Sequence, residues 1–208
     1  AGRLVTTVAG IATFYQQNGN VHVTGIVTAA NFAKADGSSL GGFEQDSTGN
    51  LVAGTGAGAA IDSDTCCNIL LGCNAGAALN SGDKNIAIGF EAGICNTTNF
   101  GTITIGSNAG RCNVAQNLIA IGNGAGCKGA SGSNHNTFIG NAAGAETTTG
   151  GFNNFFGQNA GKSNTEGAYN LYLGQSASRG ATTGDNNIAL GCCSGATTGD
   201  GTGNDNIS

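Results

Sequence analysis

Proline, methionine and tryptophan are missing from this 208-residue chain, and charged side chains make up only 9% of it. Without proline, and without a running Gly-x-y period, a collagen triple helix is excluded. Disorder goes with low hydrophobicity and high net charge, which does not fit a chain that is 39% hydrophobic with a net charge of −5. Lys and Arg number only seven and are scattered singly. No basic patch exists to neutralise phosphates, so nucleic acid is excluded as a partner. No apolar run approaches the roughly 18 residues of a membrane span, and no membrane insertion is expected. The start, Ala1-Gly2-Arg3, has neither a Met nor the charged-then-apolar pattern of a signal peptide. The last residues, Asn206-Ile207-Ser208, read as a repeat cut in its first strand. A fragment or a processed product is therefore expected.

What the chain has in abundance is glycine, 39 residues of it, and the glycines recur in register. The repeating block is N-Φ-x-Φ-G-x-x-A-G, with Φ apolar. It begins at Asn50-Leu51-Val52-Ala53-Gly54 and recurs as Asn68 to Gly72 and Asn85 to Gly89. Thr102 to Gly106 and Leu118 to Gly122 replace the Asn, which returns at Asn136, Asn153, Asn170 and Asn187. The anchoring glycines 54, 72, 89, 106, 122, 140, 157, 174 and 191 lie 16 to 18 residues apart. A short β-branched or aromatic run between Asn and Gly reads as a strand, and one such strand per unit cannot fold alone. Stacked units give a parallel β-helix or β-roll, an all-β solenoid of 17-residue coils. This architecture is expected over residues 49–208, with about nine coils and a truncated C-terminus. A β-rich N-terminal shaft or connector is expected over residues 1–48, where Gln16 to Asn20 marks a turn between two alternating stretches.

The columns of the repeat carry physical meaning. Asn50, Asn68, Asn85, Asn136, Asn153, Asn170 and Asn187 are expected to stack into a hydrogen-bonded amide ladder. The following glycine permits a positive φ at the corner, and the alanine three residues later (Ala75, Ala92, Ala109 and their equivalents) marks a tight inner corner. Side chains alternate along a strand, so pairs such as Ile86 and Ile88, or Ile103 and Ile105, are expected to line the core. The residue between them then points outward. That column is also apolar, with Leu70, Phe138, Phe155 and Tyr172 as its largest members, and it forms a candidate oligomer face. A homotrimer about a common axis is the expected assembly. A lone solenoid with a few exposed apolar residues is the plainer alternative.

Gly19-Asn20-Val21-His22-Val23-Thr24-Gly25-Ile26-Val27-Thr28-Ala29-Ala30-Asn31-Phe32 resembles segments common in tail fibres of marine phages, particularly cyanophages. Asn136 to Gly144 and Asn85 to Gly93 resemble the NTFIGxxAG repeats of such fibres. They are also similar to repeats in the heads of bacterial trimeric autotransporter adhesins, whose units usually run shorter. Both families are homotrimeric. The phage resemblance implies a structural tail fibre of a virion, projecting from the particle and supporting attachment to the host cell. Its implied partners are further copies of itself, other virion or surface proteins, and a host-surface glycan or receptor. The adhesin resemblance implies an extracellular or cell-surface filament instead.

Chemistry leaves few candidates. Cys95 and Cys112 each follow their anchoring glycine by six residues, and Cys127 follows its own by five. A coil spacing of about 4.8 Å suits the Cα separation of a disulfide, so Cys95 and Cys112 are a candidate inter-coil staple. They read equally as small buried hydrophobes. Cys66-Cys67 and Cys192-Cys193 are adjacent pairs, Cys73 shares a column with Cys192, and no C-x-x-C occurs, which counts against zinc. Gly54 to Gly58 and Gly122 to Gly126 imitate nucleotide loops but are instances of the repeat. Asp62 with Asp64, or Asp200 with Asp205, would be calcium ligands at a turn, although solvated turn residues explain them as well. His22 and His135 have no nucleophile or carboxylate constellation around them. The threonines keep no single column, as ice binding would require, and no carboxylate pair suggests a glycan hydrolase. Neither catalysis nor a cofactor nor a metal is expected.

Overall fold

A computed structural model describes residues 13–17, 20–24, 44–130, 133–195 and 207–208. The chain divides into two compact units, residues 1–42 and 43–208. In the first, β1 (Thr13–Gln17) and β2 (Asn20–Thr24) pair antiparallel with Gln17 opposite Asn20. This is the hairpin that Asn18-Gly19 favours between alternating stretches. Residues 1–12, 18–19 and 25–43 of the shaft expected over residues 1–48, and with them most of the phage-like segment, lie outside the described residues.

The second unit is a parallel β-solenoid. Its strands are β3 (Glu44–Gln45), β4 (Leu51–Ala53), β5 (Ile69–Leu71), β6 (Ile86–Ile88), β7 (Ile103–Ile105), β8 (Cys112–Asn113) and β9 (Ile119–Ile121). After these come β10 (Lys128–Gly129), β11 (Thr137–Ile139), β12 (Asn154–Phe156), β13 (Leu171–Leu173) and β14 (Ile188–Leu190). One ten-stranded sheet runs β14-β13-β12-β11-β9-β7-β6-β5-β4-β3, while β8 and β10 form a separate parallel pair. Every neighbour in the long sheet is parallel except β3, which is antiparallel to β4. Among the described residues there is no helix. Nine strands of three residues thus stack in register, one repeat apart, with eight coils between them. The turns are stitched between coils as well: Gly76 N–H donates to the Ala92 carbonyl at 2.9 Å, and Gly161 N–H to Ala177 at 2.9 Å.

The polarity of the strands is the reverse of the sequence expectation. Leu70, Phe138, Phe155 and Tyr172 are fully buried within the chain itself, as are Thr104 and Ala120 in the same column. They form the solenoid's own core, not an oligomer face. The flanking residues, Ile86 and Ile88 among them, turn outward and are partly exposed. The physical reason is the narrowness of the coil. A three-residue strand offers one inward position, and the opposite wall is the alanine column, with Ala75, Ala92, Ala109, Ala125, Ala143, Ala160 and Ala177 at zero exposure. Room for a ring comes from the glycine after that alanine: a Cβ on Gly161 would lie 2.5 Å from the Phe155 ring. The rings then stack along the rod, Phe138 on Phe155 at 5.1 Å and Phe155 on Tyr172 at 4.7 Å between centroids. Burial pushes the Tyr172 phenol up to about 12, against the opposing pull of Ser178 and Asn187.

The N-terminal end of the stack is capped by β3 and by Asp46. The Asp46 carboxylate accepts from the Asn50 backbone N–H at 2.8 Å, the Asn50 Nδ2 at 2.8 Å and the Thr48 N–H at 3.0 Å. The Asn50 side chain, then its backbone N–H, hold the Asp46 carboxyl below its ordinary value of 3.8. A carboxyl depressed in the folded state contributes stability that is full above its unfolded value, near 3.9, and is lost as pH falls through the folded value. Thermal unfolding followed from pH 7 to pH 2.5 is expected to show Asp46→Ala less stable than wild type at neutral pH. The gap should narrow as the pH falls below 3.8, the ordinary value of this carboxyl.

Candidate functional site

The asparagine column fixes where each strand begins. These residues are buried, and Asn50 to Asn170 bond to backbone as well as to their neighbours. Asn85 N–H donates to Asn68 Oδ1 at 2.8 Å, Asn153 N–H to Asn136 Oδ1 at 2.8 Å, and Asn187 N–H to Asn170 Oδ1 at 2.8 Å. The amide nitrogen turns to a carbonyl on the returning arm, Asn68 to Gly82 at 2.9 Å, Asn153 to Gly167 at 2.7 Å and Asn170 to Gly184 at 2.8 Å. Direct amide-to-amide contacts occur as well, Asn68 to Asn50 at 2.9 Å and Asn170 to Asn153 at 3.1 Å. The column therefore satisfies backbone groups that the coil would otherwise bury unpaired. It lapses at Thr102, whose hydroxyl donates to Asn85 Oδ1 at 2.7 Å, and at the buried Leu118.

With every strand start fixed, the outward side chains fall into two straight ladders. The register places Ile86 beside Ile103 and Ile103 beside Ile119, and likewise Ile88, Ile105 and Ile121. The first ladder continues to Leu51 at one end and to Leu171 and Ile188 at the other, interrupted only by Thr137 and Asn154. The second continues through Ile139, Phe156, Leu173 and Leu190 without a polar residue. Leu173 and Leu190 are half exposed, at 50% and 53%. At about 4.8 Å per strand and roughly 7 Å between the ladders, this apolar face is roughly 40 Å long and 10 Å wide. A contiguous patch of that order is at the upper end of what monomers leave bare, and such patches mark interaction sites. Sequence reasoning missed this face because it assigned the isoleucines inward.

A second exposed array lies one residue before each Asn. His135, Phe152 and Tyr169 stack with centroids 4.9 and 5.0 Å apart and planes within 4°, all at positive φ. The 17-residue spacing of these rings is visible in the sequence, yet His135 is weighed there only as a catalytic candidate. Because the rings cover one another's faces, they show solvent mainly their edges. The array fits an external stacking ladder better than a platform for a ligand.

The remaining candidates resolve locally. Cys95 Sγ lies 2.9 Å from Cys112 Sγ, and both are free thiols. Burial first, then the neighbouring Cys112 thiol, push Cys95 up to about 11. Asp62 Oδ1 accepts from Asp64 N–H and from the Thr65 hydroxyl, each at 3.0 Å, so its carboxylate closes its own turn. Asp200 and Asp205 lie outside the described residues. Among the described residues no group of three His, Cys, Asp or Glu side chains is placed to hold a metal ion. No helix there is long and apolar enough to cross a membrane.

No known family model matches the chain, and neither a curated protein nor a solved structure is significantly similar to it.

Proposed function

We propose that this chain is a segment of a structural fibre that self-associates through the outward isoleucine and leucine face, as a homotrimer about an axis along the rod. The observation that carries this reading is the face itself, one ladder apolar along its length and the other broken only at Thr137 and Asn154, with its side chains partly exposed. Cyclic symmetry about an axis along the rod buries equivalent faces against one another while keeping every rod pointing the same way. A fibre with one end on a particle and the other toward a cell needs that common direction. The number three rests on the resemblance to homotrimeric fibres and adhesins. The setting we propose is a virion tail fibre that projects from the particle and supports host-cell attachment. What supports it is the likeness of Gly19 to Phe32, and of the Asn136 to Gly144 repeat, to marine phage fibres.

Native mass measurement of the full chain is expected to return three copies. In the Ile105→Lys, Ile121→Lys double variant the mass should fall to a single chain with the β spectrum retained, because neither side chain enters the coil. A monomeric wild type would sink the reading. Capsid and tail genes beside the coding sequence would distinguish a phage fibre from a bacterial adhesin of the same build.

A further inference from the structure

The interior of the solenoid has a seam. One cluster of buried side chains runs from Leu70 to Ala92, and the next begins at Ala109. At their junction the inward strand positions are small, Ala87 in the first cluster and the polar Thr104 beyond it, and the asparagine ladder lapses at Thr102 and Leu118. Inside the coil the seam is crossed by hydrogen bonds from the Thr102 hydroxyl to Asn85 Oδ1 at 2.7 Å, the Thr104 hydroxyl to the Ile86 carbonyl at 3.2 Å and Asn99 Nδ2 to the Ala115 carbonyl at 2.7 Å. Two side-chain pairs cross it nearer the surface. One is the surface ion pair of Arg111 Nε with Glu91 Oε2 at 2.7 Å, a kind of contact that contributes little. The other is Cys95 with Cys112, on facing coils with sulfurs 2.9 Å apart, about 0.9 Å beyond a covalent S–S bond.

We propose that Cys95 and Cys112 form a reversible inter-coil disulfide that locks this seam, made by thiol–disulfide exchange with a small-molecule disulfide such as oxidised glutathione. The Cys112 thiolate attacks one glutathione sulfur, forming a mixed disulfide and releasing one glutathione thiolate. The Cys95 thiolate then attacks the Cys112 sulfur, forming the Cys95–Cys112 bond and releasing the second glutathione. The two cysteines lose two electrons and two protons, and one oxidised glutathione becomes two reduced ones. Cys112 is exposed, so it meets the reagent first; Cys95 is half-buried and its thiol is held protonated by that burial. Facing residues of neighbouring coils lie about 4.8 Å apart, inside the Cα range a disulfide accepts. The bond closes a loop of one repeat across the break between the two apolar clusters.

The test treats the full chain with oxidised glutathione, blocks remaining thiols by alkylation and maps the peptides. A Cys95–Cys112 linked peptide is expected. The unfolding temperature should rise by roughly 5–10 °C, fall back with dithiothreitol, and show no rise in Cys95→Ser or Cys112→Ser. The proposal is overturned if both thiols still alkylate, if Cys112 remains a glutathione adduct, or if the link forms to Cys127. A Cys95–Cys112 link that leaves unfolding unchanged overturns it equally, because the seam would then need no lock.

Discussion

Gly157→Ala is expected to lower the unfolding temperature by roughly 10 °C, whereas Gly124→Ala, a few residues from an equivalent corner, is expected to cost roughly half of that. At Gly157 the backbone sits at φ +133°, and a Cβ there would lie 2.4 Å from the carbonyl oxygen of Gly174 in the next coil. That carbonyl has little freedom to retreat, since Gly174 N–H is itself bonded to the Phe156 carbonyl at 2.8 Å. The substitution therefore combines backbone strain of about 1–3 kcal/mol with a clash against backbone. A sum of about 3 kcal/mol or more shifts a chain of this length by roughly 2–4 °C for each kcal/mol. Gly124 also has a positive φ, +64°, but its added Cβ would meet nothing within 4 Å. Its cost is the left-handed conformation alone, about 1–2 kcal/mol. Asn108 occupies the equivalent position one coil earlier at φ 57°, which shows that side chains are accommodated in that column. Thermal unfolding of the two variants beside wild type separates a corner that stacks from one that only turns.

That contrast also explains which parts of the fold were legible in the sequence. The anchoring glycine, the asparagine and the alanine each answer a requirement that returns at the same point of every coil. Their spacing alone therefore revealed a solenoid, its strand positions and its repeat length. The direction of the strand was not legible in the same way. Alternation gives parity but not sign, and in a strand as short as Ile86–Ile88 two apolar residues share one face while a single residue holds the other. Counting hydrophobic residues placed the pair inside, yet the coil has space for one side chain. A signal that points the right way was present in the volumes. Phe155 is followed six residues later by Gly161, the glycine against which its ring rests; a ring facing solvent would make no such demand. Self-association through an apolar outward face stays a proposal, with its residues changed from Leu70, Phe138, Phe155 and Tyr172 to the isoleucine and leucine ladders.

Neighbouring phenylalanines give the sharpest test of that reversal. Phe155→Ala is expected to destabilise the chain by about 3–5 kcal/mol, because it removes the middle ring of the stack between Phe138 and Tyr172 and leaves a void that flanking coils, pinned by their own hydrogen bonds, cannot close. Phe156→Ala removes a ring of the same size from the outward ladder, where it is only partly buried. In a dissociated chain that loss should stay below about 1 kcal/mol. The two are separated by dilution, since an interaction between copies adds stability that depends on chain concentration while an interior contact does not. Denaturant unfolding at high and low protein concentration should therefore show a constant penalty for Phe155→Ala. For Phe156→Ala the penalty should shrink on dilution as the assembly comes apart. Equal, concentration-independent penalties at both positions would mean that both rings serve the interior, and a coil this narrow has no place for the second.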